Sequence, residues 1–150
     1  MHFFKRKNIR VRVAGIVIHE QKILLIAHRK KNDEYWLVPG GGIDYGESAD
    51  EALAREMCEE LSVDVRVNDL SFSSDSIDPS GARHVLNLFF HCTIMSGDPV
   101  IGDDPRLSRF AYFSADEIPH LKIHPPCGEQ LICLLKGIPQ PIYQGSVWRD

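Results

Sequence analysis

A glycine-rich segment followed at once by an acidic helix constrains this chain more than any other feature. Residues 37–42 read "LVPGGG", in which Pro39 and the three glycines disfavour regular structure and allow a ligand to approach the backbone. Ser48, with Glu51 three residues later, forms the pattern of a capping box, and the alanines, leucines and methionine that follow are strong helix formers. The sequence therefore predicts a loop that leads into a helix ending near Ser62.

The glutamates of this helix border its apolar face. When Glu56 is taken as the reference on a helical wheel, Glu60 lies at about 40° and Glu59 at about 300°. Leu53 and Met57 lie at about 60° and about 100° on the same wheel. An acidic helix more commonly presents its charges to solvent and pairs them at i,i+4 spacing. Here the crowded carboxylates repel one another and are costly to desolvate, so they need a compensating charge.

A divalent cation compensates this charge better than the single arginine of the helix. Arg55 lies between Glu51 and Glu59 on the wheel, so we expect it to orient carboxylates by ion pairing. Three oxygen ligands on one face suit Mg²⁺ or Mn²⁺, and the chain offers no Cys/His set of the kind that zinc prefers. Because Mg²⁺ often completes its coordination with phosphate oxygens, we expect the glycine-rich segment to admit a phosphate-bearing substrate.

The spacing of these residues resembles a known signature. The pattern G-x5-E-x7-R-E-U-x-E-E-x-G-U, in which U is a bulky aliphatic residue, is typical of the Nudix hydrolases. The matching positions in this chain are Gly41, Glu47, Arg55, Glu56, Met57, Glu59, Glu60 and Val63. Ser62 departs from the pattern, because the family has its second glycine there. We expect Ser62 at the helix C-terminus, where it costs about 1 kcal/mol of stability and removes no ligand.

The resemblance implies a metal-binding set and a reaction. It implies that Glu56, Glu59 and Glu60 coordinate Mg²⁺ or Mn²⁺. Gly41 would add its backbone carbonyl, and Glu47 would act through water or a second metal ion. Nudix hydrolases cleave nucleoside diphosphates linked to another moiety. The implied chemistry is attack of water on phosphorus, with the metal neutralising the charge that develops on the phosphoryl oxygens.

The remaining catalytic and binding roles follow from position and resemblance. Arg55 would orient the glutamates, and Glu56 is the first candidate for the general base. Asp104 is the second candidate, and the alternative is that it is an ordinary turn aspartate. Further substrate contacts are expected at Arg29, Gly40, Gly42 and Asp104. The alternative for Arg29, which ends a predicted strand, is a solvated cation.

Hydrophobic patterning predicts strands on both sides of the acidic helix. The predicted strands are 11–18 and 22–27, which form a hairpin, and then 63–67, 84–95 and 110–113. The other predicted elements are a polar loop over 73–83 and a closing apolar helix over 127–137. This order predicts one α/β domain over residues 1–150. Its mixed β-sheet would be sandwiched between helices (α/β/α), which is also the Nudix fold that the resemblance implies.

Charge and composition disfavour several classes of function. A net charge of −4 and a pI near 5.9 give no broad positive field for a nucleic-acid polymer, although residues 5–12 carry five basic side chains. No apolar run is long enough to cross a membrane. The four cysteines have no paired spacing and the N-terminus lacks a signal-peptide pattern. We therefore expect buried or half-buried thiols and a cytoplasmic protein.

One proline bears on the substrate. Pro79 lies sixteen residues beyond the motif, and ADP-ribose pyrophosphatases of the Nudix family are similar in having a proline at about that spacing. ADP-ribose or a nucleoside diphosphate sugar is therefore the preferred substrate, and a homodimer is a candidate assembly because such relatives are often dimers. The alternatives are nucleoside triphosphates, dinucleoside polyphosphates or capped RNA. A catalytically silent ligand-sensing module is the non-enzymatic alternative, and the three unsubstituted glutamates disfavour it.

Overall fold

The computed structural model of the protein describes residues 7–148. Its first sheet contains β1 (Arg10–Ile16), β5 (Gly40–Gly42), β6 (Asp64–Ile77), β7 (His84–Ser96) and β9 (Tyr143–Ser146). These strands are ordered β5-β1-β7-β6-β9. β1 runs parallel to β7 and β6 runs parallel to β9, whereas the other pairs are antiparallel. The sheet is therefore mixed, as predicted.

A second sheet and two helices complete the fold. The sheet contains β2 (Ile18–His19), β3 (Lys22–Lys30), β4 (Asp33–Leu37) and β8 (Leu107–Phe113). β3 pairs antiparallel with each of the other three strands. The helices are α1 (Ala49–Leu61) and α2 (Gly128–Lys136), and a short 3-10 turn covers Ile118–His120.

Two separate hydrophobic cores lie on opposite faces of the strands. One core contains Leu53 of α1 and Leu24 of β3, and the other contains Leu131 of α2, Leu25 of β3 and Phe89 of β7. Successive residues of a strand point to opposite faces, so β3 supplies alternate side chains to the two cores. The predicted sandwich of strands between helices is confirmed, with two sheets in place of the single predicted one.

The predicted hairpin of residues 11–18 and 22–27 is wrong for most of its first strand. β1 ends at Ile16 and pairs with β5 and β7, so only Ile18 and His19 pair with β3. The reason is that β1 is a central strand, which bonds to a neighbour along each of its edges and is buried over residues 13–16. The turn at Glu20 and Gln21 has φ values of 50° and 64°, which suit a tight two-residue hairpin.

Two segments that were predicted as irregular are strands. β6 continues to Ile77, so the connection to β7 is shorter than the predicted loop over 73–83. Ser73, Ser74 and Ser76 of β6 are buried, and the Asn87 Nδ2 of β7 donates to Ser76 Oγ at 3.0 Å. The three glycines form β5, in which Gly41 pairs with Val13. In both segments, pairing with a neighbouring strand outweighs the local preference for a loop.

The ends of α1 match their predicted positions but differ in detail. Ser48 is the N-cap residue, yet its Oγ donates to the carboxylates of Asp50 at 2.5 Å and Glu51 at 2.8 Å. It makes no side-chain bond to a backbone N–H, so the predicted capping box does not form. Ser62 ends the helix in the left-handed region, with φ 57° and ψ 32°, and its N–H donates to the Cys58 carbonyl at 3.0 Å.

The burial of the cysteines and the length of the helices can be compared with what the composition predicts. All four cysteines are free; Cys92 and Cys127 are buried, whereas Cys58 on α1 is exposed, contrary to the expectation of buried or half-buried thiols. Burial raises the pKa of both buried thiols to about 12. Within residues 7–148, neither helix combines the length and the hydrophobicity that a transmembrane span requires.

Candidate active site

A cavity of about 560 Å³ opens beside α1. Its volume lies in the range of small-molecule binding sites, about 300–1,000 Å³. One side is lined by the glycines of β5 and by glutamates of α1, and we call this set the acidic wall: Gly40, Gly41, Glu56, Glu59 and Glu60. The motif that the sequence singled out therefore lines a cavity. Gly42 lines it as well.

Gly41 allows β5 to lie directly against α1. A β-carbon at this position would overlap the carboxylate of Glu56. Any larger residue would therefore displace either the strand or the glutamate. Gly42 differs, because a β-carbon there would meet its nearest atom, Arg10 Nη2, only at 3.9 Å. The close approach of the Glu56 carboxylate thus requires glycine at position 41 and not at position 42.

Glu60 is the most buried acid of the acidic wall, with 7% of its surface exposed. Its Oε1 accepts a hydrogen bond from the Gly40 N–H at 3.2 Å, whereas its buried Oε2 has no hydrogen-bond partner. Burial raises the pKa of Glu60 to about 8, although the positive charge of Arg12 opposes this shift and the neighbouring Glu56 adds to it. A buried carboxylate oxygen without a partner is unfavourable unless a cation or a donor binds it.

Arg55 holds the acids around it in place. Its guanidinium donates to Glu47 at 2.6 and 3.1 Å and to Glu56 at 2.9 Å. It also lies 3.4 Å from Glu59 and donates to the Gly42 carbonyl at 3.1 Å. One arginine thus joins α1 to the segment that precedes it.

The prediction that Arg55 pairs with Glu51 on its N-terminal side is wrong. The helical wheel indicated Glu51, but that side chain accepts from Ser48. Glu47 takes its place, and it lies before the first residue of α1, where a wheel assigns no direction. Glu47 also accepts from the Asp44 N–H at 2.8 Å, and its contacts with Arg55 lower its pKa. The structure therefore places Glu47 with Arg55.

The acidic wall has the donor chemistry of a Mg²⁺ or Mn²⁺ site. Within residues 7–148, no three acidic, histidine or cysteine side chains are gathered closely enough to form a ready-made metal cluster. Mg²⁺ is usually held by one or two carboxylates together with waters and substrate phosphates, so a closed cluster is not needed. Glu60 Oε2 is buried without a partner, and Glu56 lies against Gly41. These oxygen donors fit a hard divalent cation.

Four arginines that also line the cavity were not predicted as site residues. We call this set the basic wall: Arg10, Arg12, Arg83 and Arg106. Arg12 pairs with Asn87 across the β1–β7 ladder and Arg10 pairs with Val85, so these side chains face the same cavity. Arg12 donates from Nη2 to the Val38 carbonyl at 2.7 Å, and its buried Nη1 has no hydrogen-bond partner.

One sequence signal could have identified part of this wall. Arg10 and Arg12 are two apart in β1, so they lie on one face of the strand. In the sequence alone, they stand out only as part of a basic N-terminus. Lys5 and Arg6 of that segment lie outside the described residues, and Lys7 donates to the Gly81 carbonyl at 2.9 Å.

The predicted contacts outside the motif have different surroundings. Asp104 lines the cavity, but its carboxylate is bound by Arg106 at 2.7 Å, and this contact lowers its pKa to about 2. Arg29 is not among the lining residues; 65% of its side chain is exposed, and it lies 3.7 Å from Glu34. Pro79 is exposed in the turn between β6 and β7 and does not line the cavity.

Comparison with known proteins identifies the family. The family model described as NUDIX domain matches residues 9–135, so the chain belongs to the Nudix family. A NUDIX hydrolase from Nitrosomonas europaea superimposes with a TM-score of 0.76 at 26% identity, covering 90% of this chain and 94% of that one. The α/β/α sandwich is therefore the Nudix fold.

Two curated relatives have named activities. The chain is 34% identical over 116 residues to an ADP-ribose pyrophosphatase of Methanocaldococcus jannaschii, covering 74% of this chain. It is 49% identical over 63 residues to an RNA pyrophosphohydrolase of Campylobacter jejuni, covering 39% of this chain. The matches span 65% and 40% of the lengths of those two proteins.

Proposed function

We propose that this Nudix protein is a pyrophosphohydrolase that cleaves the diphosphate linkage of ADP-ribose or a related nucleoside diphosphate sugar, with Mg²⁺ or Mn²⁺ as cofactor. The observation that carries the proposal is the cavity itself, whose lining contains both the acidic wall and the basic wall. A diphosphate with bound cations needs carboxylates that hold the cations and arginines that bind its phosphate oxygens. The finer expectations of a cytoplasmic location and a homodimer belong to the same proposal.

The acidic wall would hold the cofactor. Glu56, Glu59 and Glu60, together with the Gly41 carbonyl, would be the ligands, and Glu47 would act through water or a second ion. A divalent cation supplies activation of water and neutralisation of charge on the phosphoryl oxygens. Arg55 would keep the glutamates in position through its contacts with Glu47 and Glu56.

Glu56 and Asp104 would have separate roles in the hydrolysis. Water attacks one phosphorus, the P–O bond to the bridging oxygen breaks, and ADP-ribose yields AMP and ribose 5-phosphate. Glu56 remains the first candidate to accept the proton of the attacking water. Asp104 is a poor proton acceptor near neutral pH because Arg106 lowers its pKa to about 2. We assign Asp104 the role of orienting Arg106.

The basic wall would bind the phosphate oxygens that the cation leaves uncovered. Arg12 is the strongest candidate, since its Nη1 is buried and has no hydrogen-bond partner, whereas its Nη2 is fixed on the Val38 carbonyl. A guanidinium held in this way loses little freedom when it binds an anion. Arg12 also lies close enough to Glu60 for the two charges to affect each other's pKa.

The extent of the matches favours ADP-ribose over RNA ends. The ADP-ribose pyrophosphatase matches 74% of this chain, so it includes strands beyond the motif, whereas the RNA pyrophosphohydrolase matches 39%. The higher identity of the shorter match makes removal of pyrophosphate from an RNA 5′ end the second candidate. Residues that select the substrate lie outside the motif, so the longer match weighs more.

A substrate panel tests this proposal. Product release would be measured with Mg²⁺ and with Mn²⁺ for ADP-ribose, a nucleoside diphosphate sugar, nucleoside triphosphates, a dinucleoside polyphosphate and a 5′-triphosphorylated RNA. We expect the highest kcat/KM for ADP-ribose or the nucleoside diphosphate sugar. A preference for the triphosphorylated RNA would replace the proposal with its second candidate. Failure to cleave any substrate would support the ligand-sensing alternative.

A further inference from the structure

The segment between β7 and β8, which we call the 97–106 loop, lies against the end of the helix that carries the acidic wall. The last carbonyls of a helix have no hydrogen-bond partner within the helix itself. In α1, the Leu61 carbonyl accepts from the Val100 N–H and the Glu60 carbonyl accepts from the Gly102 N–H, each at 2.9 Å. The 97–106 loop therefore supplies hydrogen-bond donors to the end of α1.

Gly102 allows the loop to approach the helix this closely. A β-carbon at position 102 would overlap the Glu59 carbonyl oxygen and would lie 3.2 Å from the Glu59 carbonyl carbon. These are backbone atoms in the last turn of α1, so they cannot rotate away as the end of a side chain can. Gly102 is not one of the glycines with a positive φ. Glycine is therefore required at this position for space and not for backbone conformation.

The same loop carries two residues of the active-site cavity. Asp104 and Arg106 both line the cavity, two and four positions after Gly102. The Asp104 carboxylate accepts from the Arg106 backbone N–H at 2.9 Å, from its Nη2 at 2.7 Å and from its Nε at 3.2 Å. Asp104 thus binds both the backbone and the side chain of Arg106. The direction of the guanidinium therefore depends on where Asp104 lies.

The other end of the loop is attached to a different element. The Arg106 carbonyl accepts from the Arg29 N–H of β3 at 2.8 Å. Leu107, the next residue, is buried in the core that also contains Leu53 of α1. Asp104 therefore lies between an attachment to α1 and an attachment to β3. If the loop moved away from α1, Asp104 would shift relative to Arg106.

Arg106 is available to a phosphate oxygen. Its side-chain bonds to Asp104 use Nε and Nη2, and 71% of the side chain is exposed, so Nη1 can donate to a ligand in the cavity. The Asp104 carboxylate raises the pKa of Arg106, and the negative charge of Glu60 adds to this effect. The guanidinium thus lies near enough to the acidic wall for the two charges to interact.

We propose that Gly102 is a positioning residue for phosphate binding: its contact with the end of α1 places Asp104, and Asp104 directs the Arg106 guanidinium toward the diphosphate that the acidic wall holds through its cation. This inference rests on the proposed function for the identity of the substrate. Gly102 is not among the residues that line the cavity, so it acts through Asp104 and Arg106. The 97–106 loop thereby joins the acidic wall to one arginine of the basic wall.

A double-mutant cycle tests this positioning role. Gly102→Ala is expected to lower kcat/KM for ADP-ribose about tenfold, because a charge-assisted hydrogen bond to phosphate is lost. In an Arg106→Gln background, the same substitution is expected to lower kcat/KM by less than about twofold, since the group that it positions is already absent. The free energy of unfolding is expected to fall equally in the two backgrounds. An equal loss of kcat/KM in both backgrounds would overturn the inference, because Gly102 would then act without Arg106.

Gly97→Ala is the matched control. Gly97 begins the same loop, and a β-carbon there would lie 2.9 Å from the Ser62 carbonyl oxygen, just beyond the end of α1. Its φ of 89° is also unfavourable for alanine, so the variant is expected to lose stability. We expect it to keep kcat/KM within about twofold, because the Gly102 N–H still binds the end of α1. A loss of kcat/KM as large as in Gly102→Ala would overturn the inference.

Asp104→Ala tests the next step of the same chain of contacts, and it decides the matter if Gly102→Ala does not fold. The Asp104 side chain is 35% exposed, so its removal leaves no large cavity. We expect kcat/KM to fall about tenfold when Arg106 is present and by less than about twofold in the Arg106→Gln background. Wild-type kcat/KM in Asp104→Ala would overturn the inference.

A binding measurement separates this inference from the proposed function. Inorganic pyrophosphate would be titrated by calorimetry in the presence of Mg²⁺, with the wild-type protein and with the same variants. If ADP-ribose is cleaved but Gly102→Ala has equal effects with and without Arg106, the positioning role is wrong and the proposed function stands. If ADP-ribose is not cleaved but Gly102→Ala weakens pyrophosphate binding only when Arg106 is present, the positioning role stands and the proposed substrate is wrong.

Discussion

The acidic wall and the basic wall line the same cavity, but they are built differently. The acidic wall comes from one short segment, in which β5 and α1 are almost consecutive in the chain. The basic wall combines Arg12 of β1 with Arg83 and Arg106, which follow much later in the sequence. The acidic wall can therefore be predicted from the spacing of residues in the sequence. Only strand pairing and loop packing bring the basic wall together.

The largest expected effect tests the acidic wall. Glu60→Gln keeps the size of the side chain but cannot ionise to the carboxylate that a divalent cation binds, so we expect kcat to fall by at least about a hundredfold with the thermal unfolding temperature unchanged or raised. Glu59→Gln should behave similarly in rate. Glu51→Gln is the matched control, since Glu51 lies on the same helix, is exposed and does not line the cavity. Near-wild-type turnover in both test variants would remove the metal assignment.

The second-largest effect is expected from the close packing of Gly41 against the Glu56 carboxylate. Gly41→Ala places a methyl group on the Glu56 carboxylate, so we expect a loss of about 1–3 kcal/mol in the free energy of unfolding and a marked loss of activity. Gly42→Ala is the control, because a methyl group there meets its nearest atoms, Arg10 Nη2 and the Val11 carbonyl oxygen, only at 3.9 and 4.0 Å. Denaturant unfolding and a rate measurement on both variants check this. Equal effects of the two substitutions would contradict the assigned packing.

A smaller effect compares the basic wall with the contact that the sequence predicted. Arg12→Gln removes the buried guanidinium, so kcat/KM is expected to fall by about ten- to a hundredfold. Arg29→Gln is expected to change kcat/KM by less than about twofold, because Arg29 is exposed and lies outside the cavity lining. Steady-state kinetics on the two variants show which of the two arginines contributes to kcat/KM. A larger loss of kcat/KM in Arg29→Gln than in Arg12→Gln would favour the substrate contact that was predicted from the sequence.

The smallest effect concerns the position where the motif departs from the family pattern. Ser62→Gly relieves a left-handed residue at the end of α1, so we expect a gain of up to about 1 kcal/mol in the free energy of unfolding with unchanged kcat. Chemical denaturation measures the gain. If the variant is destabilised, or if its activity changes severalfold, Ser62 has a role in the active site that its backbone conformation does not explain.

The sequence predicted those parts of the molecule that depend on local spacing. The position of α1, the left-handed Ser62 at its end and the closing helix α2 follow from residues close in the chain. Helical periodicity also indicated that the glutamates border the buried face. The structure adds that they differ among themselves, since Glu60 is 7% exposed whereas 59% of the Glu59 side chain is exposed.

The errors arise where tertiary pairing overrides local preference. The run 11–18 reads as one strand, but β1 is a central strand of the first sheet and only Ile18 and His19 turn toward β3. The serines of β6 read as a loop, but they are buried against Asn87 and its neighbours. Arg12 could not be placed in the site, because its role depends on pairing with β7, far away in the sequence.

Chelation of the metal is the sharpest test of metal-dependent hydrolysis by this protein. ADP-ribose would be incubated with the wild-type protein in Mg²⁺, in excess chelator, and in chelator overcome by added Mg²⁺, with AMP and ribose 5-phosphate quantified as products. The account predicts formation of both products in Mg²⁺, loss of nearly all activity in chelator and full recovery when Mg²⁺ is restored. A rate that is unchanged by the chelator would contradict it.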